Sequence, residues 1–145
     1  KTDQGVFSLW VARHLFGGRL SYNGFGGEGL QVRDLLHPRE LGDQLMREIE
    51  NPALGSGQVF NAGGGPAGAV SLCEYSALCA RATGVELAFG AAPETAEVDI
   101  PWYVTDNTKV HQTWGWLPNE RPDAIVAEIA AWMRANEAEL RPLFT

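Results

Sequence analysis

Apolar residues in GVFSLWVARHLFG (5–17) fall on almost every side of a helical wheel, which predicts a helix buried on more than one face and ended by Gly17 and Gly18. RLSY (19–22) and LQVRDLL (30–36) are short extended runs and predict strands. Pro38 suits the first turn of a helix that puts Leu41, Leu45 and Ile49 on one face and stops at Asn51 and Pro52. QVFNAG (58–63) predicts a buried strand running into the glycine-rich loop GGGPAGA (63–69). Ser71 with Glu74 three residues on is a capping box, opening a helix that ends at Gly84. VELAF (85–89) and PWYVT (101–105) predict strands around an acidic loop. Asp106 caps a short helix ending near Trp114 and Gly115, and Pro122 opens the last one, with Ile125, Ile129, Trp132 and Met133 as its apolar stripe.

The resulting order, α, β, β, α, β, α, β, β, α, α, is that of an α/β chain without the opening βαβ of a complete doubly wound fold. It has the look of the second half of a larger architecture.

Composition narrows the function. The chain has 145 residues, 45% of them apolar, enough for one moderate core, so residues 1–145 are expected to form a single domain. A net charge of −7 with eleven Lys and Arg argues against a nucleic-acid or anionic-membrane partner, yet leaves room for a small anion held by one or two arginines. No apolar run approaches the roughly 18 residues of a membrane span, and no signal-peptide pattern is present, which points to a cytoplasmic protein. Cys73 and Cys79 sit on one predicted helix, about 9 Å apart along its axis, and are expected to be free thiols.

Most candidate chemistry fails on context. GFGGEG (24–29) satisfies GxGxxG, but an extended run follows it, so no helix N-terminus is offered to a pyrophosphate. His14, His37 and His111 lack partners at metal-ligand spacing, and no serine lies in a GxSxG elbow. Glu94, Glu97 and Asp99 read as a solvated acidic loop rather than a carboxylate pair.

QVRDLLHPRELGDQL, GQVFNAGGG, SLCEYSALCARATG, DIPWYVTDNTKV and WGWLPNERPDAIVAEIAAW, with DQGVFSLWVARHLFGG at the start, together resemble the C-terminal part of the extended short-chain dehydrogenase/reductases that act on nucleotide sugars, the NAD-dependent epimerase/dehydratase family. Within it the likeness is nearest to the CDP-paratose 2-epimerase (CDP-tyvelose epimerase) group. The resemblance covers essentially the whole chain in order. It implies an α/β substrate-domain half of a nucleotide-sugar epimerase, without the N-terminal Rossmann half that holds the cofactor.

The resemblance assigns Arg33 of the VRD strand to the diphosphate, Gln31 beside it, and Leu20, Ser21 and Tyr22 to the strand along the nucleotide base. An arginine fork suits phosphate oxygens on chemical grounds as well. From the residues alone, an internal ion pair of Arg33 with Glu40 or Asp99 is equally open. The family's catalytic tyrosine precedes a lysine by four residues, whereas Gly26, Cys79 and Asn107 stand four after Tyr22, Tyr75 and Tyr103. The second phosphate arginine, expected three residues before Asp99, falls on Ala96. The expectation is therefore a partial epimerase that holds no NAD, binds a nucleotide diphosphate sugar weakly and turns nothing over alone. The alternative is a freestanding binding or interaction protein of the same descent. The apolar first helix and five tryptophans predict either self-association or contact with the missing N-terminal half.

Overall fold

The first helix, α1 (Val6–Phe16), buries Trp10, Val11, Ala12, His14 and Phe16 and ends at Gly17, as its all-round apolar pattern predicts. The computed structural model describes residues 5–144; Asp3 and Gln4, the first residues of the opening motif, lie outside the described residues. The described residues divide into two compact units, one formed by residues 5–31, 71–101 and 122–144, the other by residues 32–70 and 102–121.

In the first unit α1 packs against α5 (Leu72–Thr83), α7 (Pro122–Ala135) and α8 (Glu137–Phe144). Its buried residues are thus covered by helices of its own unit. The contact has polar fasteners: Tyr75 Oη donates to the Phe7 carbonyl at 2.9 Å, and the two rings meet edge to face at 4.9 Å. Burial of Tyr75 pushes its hydroxyl well above the ordinary phenol range, so it serves as a neutral donor. Beside the helices, β1 (Leu20–Asn23) and β4 (Phe89–Ala92) pair in parallel, Leu20 opposite Phe89 and Tyr22 opposite Ala91. The second predicted strand of this region, 85–89, forms later than its apolar residues suggest, because Gly84 closes α5 in a left-handed conformation and the chain becomes extended only near Phe89.

In the second unit β2 (Val32–Asp34) forms a two-stranded sheet with β3 (Ala69–Ser71), and Leu35 N–H donates to Gly68 O at 3.0 Å. The predicted strand 101–105 contributes only a single bridge, Trp102 beside Val32. QVFNAG (58–63) is not a strand: Val59 is 84% exposed, and the segment is held instead through its carbonyls and Phe60, with Lys109 Nζ donating to Val59 O at 2.8 Å and lying over the Phe60 ring. β3 was not anticipated, nor were the short helices α3 (Pro52–Gly55) and α4 (Gly65–Gly68) or the final α8. α2 (Pro38–Glu50) starts where Pro38 predicts, with His37 accepting from Arg39 N–H at 3.0 Å. Asp106 accepts from Thr108 N–H at 2.8 Å as α6 (Thr108–Trp114) begins. The core of this unit is Val32, Leu35, Val70, Val110 and Trp116.

The capping box of α5 is complete. Ser71 Oγ accepts from Glu74 N–H, while Glu74 Oε2 accepts from Ser71 N–H at 2.9 Å and from Ser71 Oγ at 2.5 Å. Those bonds, the side-chain one first, hold the Glu74 carboxyl below its usual range. A carboxylate whose folded value lies below its unfolded one stabilises above the unfolded value and ceases to do so as pH falls through the folded one. Ser71→Ala should therefore cost about 1 kcal/mol at pH 7 in chemical denaturation, and the gap between variant and parent should narrow as the buffer is taken below about pH 4.

Candidate functional site

β1 and the VRD strand, the two segments assigned to the nucleotide, belong to different units: Leu20, Ser21, Tyr22 and Gln31 to the first, Arg33 to the second. β1 is anchored from below by one hydroxyl. Ser76 Oγ accepts from Trp10 Nε1 at 2.9 Å and from Tyr22 Oη at 2.9 Å while donating to Leu72 O at 2.8 Å, so its one donor and two acceptor sites are all used. Tyr22 stacks on Phe89 with ring centroids 4.7 Å apart, and burial raises its hydroxyl above the ordinary phenol value. Leu20 is buried under the same sheet, and Ser21 is half-buried. Gln31 joins this group: its Nε2 donates to the carbonyl of Asn23, the end of β1, at 3.1 Å, and its Oε1 is buried with no donor among the described residues. The first unit thus brings together four of the five expected binding residues.

A cavity of ≈ 640 Å³ in this unit is lined by His14, Tyr22, Cys73, Ser76, Arg81 and Phe89, among others. His14 Nδ1 bonds to Trp10 O at 2.7 Å. Cys73 is half-buried near the start of α5, while Cys79 is fully buried and its thiol is pushed up to about 12 by that burial.

In the second unit the residue after Arg33 has the structural role that the pattern alone did not expose. Asp34 Oδ2 accepts from Gly65 N–H at 2.8 Å and from Thr105 N–H at 3.1 Å. Asn107 also clamps this loop, accepting from Gly63 N–H at 3.1 Å and donating to Gly63 O at 2.9 Å. Gly64 lies so close to Leu35 that a Cβ would overlap the Leu35 carbonyl, which accounts for glycine there. Arg33 rides on this clamped strand, half-buried, with Nη1 donating to Val32 O at 2.7 Å. Glu40, one of the two carboxylates considered for it, accepts through Oε1 from the backbone amides of Asn119 and Glu120. A second cavity of ≈ 620 Å³ is lined by Gly64, Pro66, Thr105, Asp106, Thr108 and His111.

Neither glycine run fits a dinucleotide. GFGGEG forms a tight 3-10 turn followed by a loop and β2, with no helix behind it. In the other run the amides of Gly63 and Gly65 are already committed to Asn107 and Asp34. Among the described residues no group of His, Cys, Asp and Glu is placed to hold a metal ion, and no helix is long and apolar enough to cross a membrane.

No family model matches the chain. A UDP-glucose 4-epimerase of Yersinia pestis is 29% identical over 133 residues, which is 88% of this chain and 38% of that protein. The fold matches that of a UDP-glucose 4-epimerase from Thermotoga maritima solved with UDP-glucose, at TM-score 0.77 and 21% identity, over 93% of this chain and 41% of that one. It matches a dTDP-glucose 4,6-dehydratase from Bacillus anthracis solved with NAD at TM-score 0.73 and 21% identity, over 96% of this chain and 42% of that one. The chain is thus homologous to a UDP-glucose 4-epimerase, has the α/β fold of part of such an enzyme, and spans about two fifths of the length of these relatives.

Two predictions follow from the geometry. Ser76→Ala strands the Trp10 indole N–H and the Tyr22 hydroxyl, and Asp34→Ala strands two backbone amides; each should cost about 2 to 4 kcal/mol, measured by urea unfolding, against less than about 0.5 kcal/mol for the exposed Glu86→Ala. Iodoacetamide at pH 8 should modify Cys73 in the folded protein and leave Cys79 unmodified until denaturant is added, as read by intact mass.

Proposed function

We propose that this chain is the nucleotide-sugar-binding portion of an NAD-dependent epimerase or dehydratase, and that by itself it binds a nucleoside diphosphate sugar without converting it. The observation that carries this reading is the 29% identity to a UDP-glucose 4-epimerase over 133 residues, a span long enough to take in both β1 and the VRD strand. Two local features support it. Gln31 Oε1, beside β1, is a buried acceptor with no donor among the described residues, suited to an N–H or O–H of a bound nucleotide. Arg33 sits on a strand fixed by Asp34, so its fork is held on a rigid element, as phosphate recognition requires.

The roles are those the resemblance assigns: Leu20, Ser21 and Tyr22 lie along the base, Gln31 accepts a polar edge of the nucleotide, and Arg33 meets the diphosphate. One arginine contributes about 1.5 to 3 kcal/mol through charged hydrogen bonds. With Ala96 where a second is expected, an affinity near millimolar follows, since about 4 kcal/mol corresponds to that range.

Calorimetric titration with CDP-, UDP- and dTDP-glucose tests the reading. Binding of at least one of them near millimolar, abolished by Arg33→Ala without a change in melting temperature, is the expected result. Addition of NAD should give no new sugar product by chromatography. No heat of binding from the parent, with a fall in melting temperature equivalent to about 3 kcal/mol or more in Arg33→Ala, would make Arg33 a purely structural ion-pair residue and end the proposal.

A further inference from the structure

The cavity of ≈ 640 Å³ in the first unit falls within the range of about 300 to 1,000 Å³ typical of small-molecule sites. One of its lining residues carries a polar atom that the fold leaves unpaired. His14 is 2% exposed, and its Nδ1 faces the Trp10 carbonyl at 2.7 Å; a carbonyl oxygen only accepts, so Nδ1 carries the proton. The neutral ring then has its lone pair on Nε2, which is buried with no partner among the described residues. A buried acceptor of this kind is a cost to the fold until a donor reaches it. The hydroxyls and the thiol that line the cavity do not supply one. Ser76 gives its proton to Leu72 O, Tyr22 gives its own to Ser76 Oγ, and the Cys73 thiol lies 3.3 Å from Ser71 Oγ.

The rest of the lining says what such a donor is attached to. Tyr22 and Phe89, stacked at 4.7 Å, give an aromatic wall, and α5 contributes Ala77, Ala80 and Gly84 at helical spacing, small enough to leave room for a ring. Arg81 and Glu86, both exposed, add one cation and one carboxylate, and neither has a hydrogen bond or ion pair among the described residues. The geometry points to a site for a free aromatic α-amino acid whose ring carries an O–H or N–H. The ring donor meets His14 Nε2, the ring packs along Tyr22 and Phe89, and the carboxylate and ammonium meet Arg81 and Glu86 on the solvent side. This site is independent of the proposed nucleotide site: Arg33 belongs to the other unit, and neither Ser21 nor Gln31 lines the cavity. Tyr22 turns its ring to the cavity from the face of β1 opposite Ser21.

L-Tyrosine and L-phenylalanine, which differ by the one donor, test the site by saturation-transfer NMR on the full chain. Tyrosine should bind with a Kd of about 1 mM or below, and phenylalanine at least about tenfold more weakly, because it leaves Nε2 unpaired. In nitrogen-15-labelled protein the His14 Nε2 resonance should move on addition of tyrosine and stay in place with phenylalanine, whereas a purely structural histidine would respond to neither. Tyramine, which lacks the carboxylate, should bind at least about fivefold more weakly than tyrosine, and Arg81→Gln should bring the two to within about twofold of each other. Ala80→Leu, which fills the cavity from α5, should abolish tyrosine binding and leave the melting temperature within about 2 °C of the parent. Should that variant fail to fold, Arg81→Gln at its exposed position carries the test. Equal binding of tyrosine and phenylalanine, no binding of tyrosine at about 2 mM, an unmoved His14 resonance, or tyrosine binding that survives Ala80→Leu would each overturn the assignment. Release of bound tyrosine by UDP-glucose would overturn it too, by making the cavity part of a nucleotide site.

Discussion

A polar atom taken out of water must find its partners inside the protein, and in each unit one oxygen meets that demand for segments far apart in the chain. In the first unit it is Ser76 Oγ, which receives Trp10 from α1 and Tyr22 from β1 while returning its own proton to Leu72 of α5. In the second it is Asp34 Oδ2, which receives Gly65 and Thr105. Apolar burial brings these elements near one another without regard to direction. The shared oxygens set where β1 and β2 lie, and with them the residues proposed to touch a nucleotide.

The same accounting separates rigid parts from parts open to a partner. The donors in the glycine-rich segment that meet Asp34 and Asn107 are spent within the fold, so that loop is a brace rather than an anion cradle. Gln31 Oε1 has no such partner, and α2 has its leucines in water. Among the described residues, buried side-chain atoms without a partner lie at Gln31 beside β1, at Glu40 and Gln44 on α2, at His14 on α1 and at Trp114 on α6.

Helices were the most legible feature. α1, α2, α5, α6 and α7 follow from periodicity and punctuation, and the Ser71–Glu74 box and Gly84 stop of α5 from residue chemistry alone. Such signals are local: a helix makes its hydrogen bonds with itself and its caps lie within four residues. Strands were harder. Residues 58–63 carry apolar side chains yet pair with nothing, while Ala69–Ser71, short and unremarkable, pairs with β2. Strand character depends on a neighbour whose identity is not local.

For the site, Arg33, Gln31 and Leu20 to Tyr22 were assigned by the resemblance of the VRD and LSY runs to the epimerase/dehydratase family, while the residues alone left an internal ion pair of Arg33 equally open. What those residues rest on was decided only in three dimensions. Leu41, Leu45 and Ile49 marked a face in the sequence, but periodicity states that a face exists and not which way it turns; packing turned Glu40 and Gln44 inward and left the leucines outside. Likewise nothing near Asp34 or Ser76 in sequence announces their clasping roles, since their donors come from positions 31 to 71 residues away, and such pairings arise only when the fold closes over them.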